Sequence, residues 1–347
     1  MKPSFRKIVK SITDPLNAGD LFRKGFVEVN RLGEYAQAAV YGSVSPAETI
    51  ILAGSGRSGT TWLGDLISII ARAQQIFEPL APFQNPLVRR LTGWELPAPG
   101  ISYIRAFFLD ENDRSEAWKN HWFEILTGRY RTYWTDANRQ YLFPRRYLVK
   151  EVYANLMLGY LYKQFAPKIV FLARHPCAVI ASRLAVPWQA NVKDILDQEE
   201  LVEKYLRPWV GLMEKEKDLI GAHAVWWAVE NMVASLQLTA CSHQFVYYEE
   251  TATEPEKVGD RLAEWLGRER APQNFDEFAQ RPSRMTQDGK KNIEVNQVIS
   301  QWKRALSSED QRRIIRWAGR LGLEWYDLDP MPVCLGKKRV KGGSASA

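Results

Sequence analysis

A glycine-rich turn that joins an apolar run to a helix-like segment constrains the fold of this chain more than any other feature. Residues 49–62 read TIILAGSGRSGTTW, and residues 61–73 read TWLGDLISIIARA. Glycine lets a backbone approach an anion closely, and a helix that follows directs its free N–H groups and the positive end of its dipole at that anion. The segment therefore predicts a strand, a phosphate-binding loop with glycines at 54, 56 and 59, and a helix.

The loop lacks the lysine of the common nucleoside triphosphate pattern, G-x-x-x-x-G-K-[ST]. Thr60 occupies the position of that lysine, and the nearby cation is Arg57, inside the loop. The loop can therefore hold a phosphate, but it lacks the lysine and the magnesium geometry that cleave ATP. A single loop of this kind is also compatible with tight packing in an α/β fold that binds no ligand.

A second segment places another cation and another hydroxyl at the end of a strand. Residues 168–185 read KIVFLARHPCAVIASRLA, which predicts a buried strand that stops at Arg174, a turn at Pro176, and a helix that brings Ser182 to the side of the turn. An arginine fork and a serine hydroxyl suit a phosphate. The sequence thus indicates a ligand with phosphates at two separated positions.

Together, GSGRSGTTW and FLARHPCAVIAS resemble the 5′-phosphosulfate and 3′-phosphate motifs of sulfotransferases that use 3′-phosphoadenosine 5′-phosphosulfate (PAPS) as co-substrate, closest in motif to the carbohydrate-type enzymes. The resemblance covers about residues 48–327, because further segments follow in the family's order: FEPL at 77–80, YLVKE at 147–151, FVYYEE at 245–250, and GKKN followed by QWKRALSSED. It implies a P-loop-like sulfotransferase fold in which Trp62 stacks near adenine and Arg174 with Ser182 binds the 3′-phosphate. The residues that it implies for the 5′ end are Arg57, Ser58, Gly59, Thr60 and Thr61. Without the resemblance, Trp62 is read as core and Arg174 as the partner of a carboxylate.

Sulfuryl transfer needs a base for the acceptor's proton, a cation beside the leaving oxygen, and alignment of the reacting groups. FEPL resembles the carbohydrate-active branch, whose glutamate at this place acts as base. The resemblance therefore implies Glu78 as base, unless it pairs with a neighbouring arginine such as Arg57. The histidine base of the cytosolic small-molecule branch is absent, because Lys150 is followed by Glu151 and Val152. Glu151 is the second candidate base, and Lys150, with Arg57 in the loop, is a candidate for stabilising the bridging oxygen.

Several other positions carry weaker expectations. Tyr248 matches the family's tyrosine after the fifth strand, and it either contacts adenine or packs the strand end. The late loop matches less well, and we predict that Arg284 or Lys290, on either side of Gly289, closes over the 3′-phosphate. Among the histidines outside any motif, His121 is the next to test as a base.

Alternating strands and helices predict an α/β fold with a mostly parallel central sheet flanked by helices. The predicted strands are 49–55, 75–78, 147–152, 168–174 and 244–248, and the predicted helices include 62–73, 156–165 and 222–240. An aromatic insertion at about 81–146 is expected to cover the carboxyl edge of the sheet and to meet the acceptor. A charged insertion at about 186–219 is expected to form either a lid or an exposed helical pair.

Length and charge fit one principal domain. The 347 residues, 46% of them hydrophobic, suffice for a large α/β domain, which we predict at 48–330 between a helical lead-in at 1–47 and a flexible tail at 331–347. The net charge of +7 favours anionic ligands, and PAPS meets that preference without a nucleic acid.

Cysteine usage and hydropathy bear on the compartment. The three cysteines lack metal-ligand or disulfide-framework spacing, so free thiols and no metal site are expected. The sequence has no run of eighteen apolar residues, and we expect a cytoplasmic protein without a transmembrane segment. Peripheral contact with a membrane and the oligomeric state are left open.

The sequence therefore predicts an enzyme that moves a sulfuryl group from PAPS to a hydroxyl of a carbohydrate or small-molecule acceptor. Aromatic residues of the first insertion suit stacking on sugar rings and equally suit a core: Trp94, Tyr103, Trp118, Trp122, Tyr130, Tyr133 and Trp134. Sulfation of a hydrophobic secondary metabolite, a lipid or an amine stays open. So do a kinase-like phosphotransferase, against which Thr60 counts, and a nucleotide-binding protein without turnover.

Overall fold

Seven strands lie in the part of the chain that the structure, a computed structural model, describes: residues 43–96, 102–138, 140–141, 144–268 and 295–335, with isolated helical positions at 25, 29 and 32. They are β1 (Ile50–Ala53), β2 (Gln74–Phe77), β3 (Ser102–Tyr103), β4 (Tyr147–Glu151), β5 (Lys168–Ala173), β6 (Trp188–Gln189) and β7 (His243–Tyr247). The α-helices of these residues are α1 (Thr60–Ala71), α2 (Pro86–Thr92), α3 (Glu116–Leu126), α4 (Leu158–Phe165), α5 (Pro176–Leu184), α6 (Lys193–Leu196), α7 (Glu199–Leu201), α8 (Val210–Met213), α9 (Leu219–Leu238), α10 (Tyr248–Thr253), α11 (Pro255–Trp265), α12 (Val295–Ser300), α13 (Trp302–Ala305) and α14 (Ser308–Arg320).

The central sheet has five parallel strands in the order β2-β4-β1-β5-β7. This confirms the predicted α/β fold with a mostly parallel sheet flanked by helices. The five predicted strands and three predicted helices are all present, and their bounds differ by three residues at most, as at Leu219 against the predicted 222. The strands are predictable from the sequence because parallel strands that are covered on both faces consist of continuous apolar runs.

Side chains of successive strand residues enter the two faces of the sheet in turn. Ile50 and Leu52 pack with α1 and α11 on one face, whereas Ile51 and Ala53 pack with α3, α4 and α9 on the other. A further core cluster joins α5, α9, α13 and α14 beside the sheet. Both faces are therefore covered, and the carboxyl ends of all five strands meet at one edge.

The two predicted insertions contact each other. β3, in the first insertion, pairs in parallel with β6, in the second, with Tyr103 opposite Gln189. The N–H of Phe108 also donates to Oε1 of Gln198 at 2.9 Å. The second insertion is therefore bound to the first. Neither of the two predictions for the second insertion, a lid or an exposed helical pair, includes this contact.

Two properties of the described residues bear on the remaining expectations. Cys177, Cys241 and Cys334 are free thiols, as predicted. Among the helices that the structure describes, none is both long enough and apolar enough to cross a bilayer.

Candidate active site

The glycine loop lies between β1 and α1 at the carboxyl edge of the sheet. Gly59, which precedes α1, has a φ of +96°, and a Cβ at this position would lie 2.6 Å from the ring of Tyr248. Within the described residues no side chain caps the start of α1. Because the first N–H groups of a helix have no partner inside it, this start is open to an anion. Thr60 and Thr61, both buried, form the first turn.

Three arginines surround the loop. Nε of Arg57 donates to Oγ of Ser182 at 3.1 Å, and Nη1 of Arg174 donates to the carbonyl of Arg57 at 3.0 Å. Nε of Arg183 donates to the carbonyl of Gly56 at 3.2 Å. Burial, and then the charges of Arg174 and Arg183, lower the pKa of the Arg57 guanidinium from its ordinary value. Like charges held this close favour an anion among them.

Two polar atoms, one of the loop and one of Arg174, fit such an anion. Oγ of Ser58 and Nε of Arg174 are buried and have no hydrogen-bond partner among the described residues. A buried donor without a partner is unfavourable by about 1–3 kcal/mol. Phosphate oxygens would supply the missing acceptors, so the loop residues present fit a phosphate-bearing ligand.

Aromatic rings line one side of the loop. The guanidinium carbon of Arg174 lies 4.1 Å from the ring centroid of Tyr248, so that Tyr248 contacts both Arg174 and Gly59. Trp62 and Tyr248 are half-buried and pack on the same core cluster beneath α1. Both rings expected to contact adenine therefore pack on the face of the sheet that α1 covers. From the second insertion, a ring carbon of Trp188 lies 2.7 Å from where a Cβ of Gly56 would be.

Glu78 and Lys150 form an ion pair at the same edge of the sheet. Lys150, in β4, faces Phe77 of β2 in the strand register, and its Nζ contacts Oε1 of Glu78. The side chains of Lys150 and Glu78 are 3% and 15% exposed. Among the described residues Glu78 thus pairs with Lys150, and not with a neighbouring arginine such as Arg57, which the sequence also allows. Glu78 also has a φ of +41°, a left-handed conformation that is uncommon outside glycine and that occurs at functional sites.

Glu151, the second candidate base, is directed into the protein. Its two carboxylate oxygens accept the N–H groups of Leu80, at 2.8 Å, and Tyr153, at 2.9 Å. Burial, reinforced by the charge of Glu78, raises the pKa of Glu151 to about 8. Glu151 therefore ties together the turns that follow β2 and β4, next to the Glu78–Lys150 pair.

The histidines of the described residues make local contacts. Nε2 of His121 lies 2.7 Å from Nδ2 of Asn85, and burial lowers the pKa of His121 to about 4. Nδ1 of His175 accepts the N–H of Cys177 at the start of α5, and its ring stacks on Trp302. These contacts are structural. Arg284, Gly289 and Lys290 of the predicted late loop lie outside the described residues.

The aromatic residues of the first insertion divide between core and surface. Trp118 and Trp122 are buried in the core cluster beneath β1 and β4, so the stacking role open to them from the sequence is replaced by packing. Near Glu78, Trp134 packs edge-on against Phe77 at 5.3 Å and Phe83 at 4.9 Å between ring centroids, and Phe83 is 41% exposed. Trp134 and Phe77 are thus buried together next to Glu78, and Phe83 is the exposed ring of the three.

Sequence reasoning missed the residues that hold the loop from beneath. The N–H of Gly54 donates to Oδ1 of Asn155 at 3.0 Å, and Oγ of Ser55 donates to Oε2 of Glu230 at 2.8 Å. Nδ2 of Asn231 donates to Oγ of Ser55 at 3.0 Å. The available signal was a charged residue, Glu230, inside the apolar run AVWWAVENMVA, because a carboxylate buried in a helix needs a partner.

The chain is similar to known proteins of one family. A model of the sulfotransferase domain family matches residues 47–316. The sulfotransferase domain from the curacin biosynthetic pathway is 16% identical, with a TM-score of 0.43, over 81% of this chain and 98% of that one. The sulfotransferase domain from the Synechococcus PCC 7002 olefin synthase is 17% identical, with a TM-score of 0.41, over 82% and 97%. Mouse sulfotransferase SULT7A1, complexed with PAP, is 15% identical, with a TM-score of 0.42, over 82% and 88%. No curated protein matches the sequence.

Proposed function

Because the chain belongs to the sulfotransferase domain family, we propose that it transfers a sulfuryl group from PAPS to a hydroxyl of a carbohydrate or small-molecule acceptor. The observation that carries the proposal is the hydrogen bond from Arg174 to the carbonyl of Arg57. It brings Arg174, expected at the 3′-phosphate, against the glycine loop expected at the 5′ end, and Ser182 accepts a hydrogen bond from Arg57 of the same loop. One anion-binding pocket then accommodates both ends of a doubly phosphorylated nucleoside.

The side chains around the loop would hold the donor. Arg57, Ser58 and the N–H groups at the start of α1 would bind the 5′ end, and Arg174 with Ser182 the 3′-phosphate. Trp62 and Tyr248 would contact adenine. When bound, PAPS supplies the sulfuryl group and departs as 3′,5′-bisphosphoadenosine (PAP).

Glu78 and Lys150 are the residues that we assign to the chemical step. Oε1 of Glu78 contacts Lys150, and its second oxygen, Oε2, would take the proton of the acceptor hydroxyl. Lys150 would stabilise the negative charge that develops on the departing oxygen as the sulfur–oxygen bond breaks. Glu151 would fix the turns on either side of the Glu78–Lys150 pair, because its two oxygens accept the backbone N–H groups of Leu80 and Tyr153.

The acceptor is proposed to carry its hydroxyl on a ring. Support comes from the exposed ring of Phe83, which packs on the buried rings of Trp134 and Phe77 next to Glu78, since sugar and other rings stack on aromatic faces. We retain a carbohydrate as the first acceptor class to test, and a hydrophobic metabolite as the second. The cytoplasmic location expected from the sequence stays a prediction.

Two measurements on the purified chain test this function. Sulfate transfer from labelled PAPS should occur onto members of a panel of sugars, phenols and alcohols, and calorimetry should detect binding of PAP without binding of ATP at the same concentration. Binding of PAP with no transfer to any acceptor supports a nucleotide-binding protein instead. Phosphate transfer from ATP supports the kinase-like alternative and removes the sulfotransferase proposal.

Arg174→Ala is expected to weaken PAP binding by at least about tenfold, because it removes a charge-assisted contact to the phosphate and a hydrogen bond to the loop. Arg207→Ala is the matched control, since Arg207 is exposed in the second insertion and pairs with Glu203. The dissociation constant of PAP, measured by calorimetry for both variants, checks the expectation. Wild-type affinity in Arg174→Ala removes this arginine from the donor site.

A further inference from the structure

A fully buried ion pair lies directly beneath the glycine loop. Nη2 of Arg183, in α5, lies 3.3 Å from Oε2 of Glu230, in α9, and the two side chains are 0% and 2% exposed. Burial lowers the pKa of Arg183 and raises that of Glu230, and each partner opposes the effect of burial on the other. Apolar residues of similar size often stabilise a fold as well as such a pair does. Stability alone therefore gives no reason for these two charges.

Both members of the pair contact the backbone or side chain of the loop. Nε of Arg183 donates to the carbonyl of Gly56, while the Glu230 oxygen that faces Arg183 also accepts the hydroxyl of Ser55. Asn231, the next residue of α9, donates to the same hydroxyl. Two consecutive loop residues are thus fixed from the interior by one charged pair.

The position of Arg183 in α5 is related to the donor site. Consecutive residues of a helix point about 100° apart, since the helix has about 3.6 residues per turn. Ser182 faces the Arg57 side chain, and Arg183 faces the carbonyl of Gly56 behind the loop. α5 therefore contacts the loop from its ligand side and from its buried side at once.

The geometry of the peptide unit determines what the contact to Gly56 does. A trans peptide is planar, so its C=O and its N–H point in opposite directions. When Arg183 holds the Gly56 carbonyl toward the interior, the N–H of Arg57 in the same peptide is directed away from the interior. That is the direction in which a loop N–H is useful to an anion.

We propose that Arg183 and Glu230 are positioning residues that fix the Gly56–Arg57 peptide so that its N–H faces the 5′ end of the donor. The proposal rests on the proposed function for the identity of that anion. The pair does not touch the donor; it acts by orienting the loop that does. Its loss should affect the donor and leave the acceptor's KM unchanged.

Arg183→Lys tests the proposal, because lysine keeps the charge opposite Glu230 but lacks the fork that reaches Glu230 and the Gly56 carbonyl together. We expect PAP to bind about tenfold more weakly, and the KM for PAPS to rise by a similar factor, with the acceptor's KM unchanged. Arg313→Lys is the matched control, because Arg313 forks between Glu216 and Asp218 in another part of the protein. It should bind PAP as the wild type does.

PAP binding by the wild type distinguishes a failure of the proposed function from a failure of the positioning proposal. If wild-type protein fails to bind PAP, the proposed function falls; if it binds PAP and Arg183→Lys binds equally well, the positioning proposal falls. A double variant, Arg183→Met with Glu230→Leu, replaces the pair by apolar side chains and should fold with a thermal midpoint near that of the wild type but with weakened PAP binding. Wild-type affinity in the folded double variant overturns the proposal. Failure of both variants to fold also overturns it, since the pair then serves stability.

Discussion

Glu78→Gln is expected to lower kcat at saturating PAPS and acceptor by about a hundredfold or more, while the affinity for PAP stays within about twofold of the wild type. Glutamine keeps the size of the side chain but cannot take a proton. We expect kcat to fall without a change in PAP affinity because Glu78 lies apart from the proposed phosphate contacts. Glu78 pairs with Lys150 at the end of β2, whereas those contacts come from the glycine loop and α5. Steady-state kinetics and calorimetry on the same preparation check both parts.

The substitution removes a proton acceptor and keeps the shape of the side chain, so a charge-removing control elsewhere in the protein completes the test. Glu48→Gln serves as control, because Glu48 pairs with Arg146 at the opposite edge of the sheet, just before β1. A kcat close to that of the wild type in Glu78→Gln would exclude Glu78 as base and turn attention to Glu151.

Glu151 is less suited to that role because of what surrounds it. A general base must come within hydrogen-bond reach of the proton that it takes, and both oxygens of Glu151 already accept backbone N–H groups. Burial raises its pKa to about 8, so near neutral pH the carboxyl group holds its proton. The two adjacent carboxyl groups thus differ in their surroundings: the backbone holds both oxygens of Glu151, whereas the Glu78 side chain is 15% exposed and contacts Lys150.

The parts of the fold that the sequence predicted are local in the chain. β1, the loop and α1 follow one another within 22 residues, Ile50 to Ala71, and Arg174, just after β5, is similarly close to Ser182 in α5. Each combines an apolar run with glycine, proline or hydroxyl residues at fixed short spacing. Such patterns reflect backbone geometry, which is set by neighbours in sequence.

The contacts that escaped prediction join distant parts of the chain. Arg183 and Glu230 meet across 47 residues, and the pairing of β3 with β6 joins two insertions. A strand of two residues is too short to show a hydrophobic periodicity. A single charged residue in a helix does not indicate which residue it pairs with. Glu78 and Lys150 were each predicted as site residues, but their ion pair depends on the register of β2 against β4. Tertiary packing, which the sequence does not display, decides these contacts.

The geometry divides the candidate site into a binding part and a reacting part. Arg57, Arg174 and Ser182 contact one another around the loop, and the buried pair beneath holds the loop backbone. Lys150 lies in β4, one strand from β1, and Glu78 follows β2, two strands from β1, yet the charge of Glu78 still acts on Arg57. This arrangement separates the residues whose loss should weaken donor binding from those whose loss should slow the reaction.

Lys150→Met is expected to lower kcat by about a hundredfold or more, because it removes the cation assigned to the departing oxygen. The side chain of Lys150 is 3% exposed, and in such a dry environment a charge stabilises another charge more strongly than in water. Methionine is a fitting replacement, since the lysine stem packs near Gly64 of α1 and its Nζ lies 4.5 Å from the ring centroid of Phe77. Measurement of kcat with saturating PAPS checks the expectation.

Loss of Lys150 also leaves Glu78 without its partner, so the double variant Glu78→Gln with Lys150→Met is needed to interpret the result. If both residues act in the same chemical step, the double variant should lose less activity than the product of the two single losses. Lys163→Met, at the far end of α4 where the lysine contacts Asn112, is the control and should keep wild-type kinetics. A Lys150→Met variant whose kcat is unchanged, with only the KM for PAPS raised, contradicts the role at the departing oxygen and makes Lys150 a donor-binding residue.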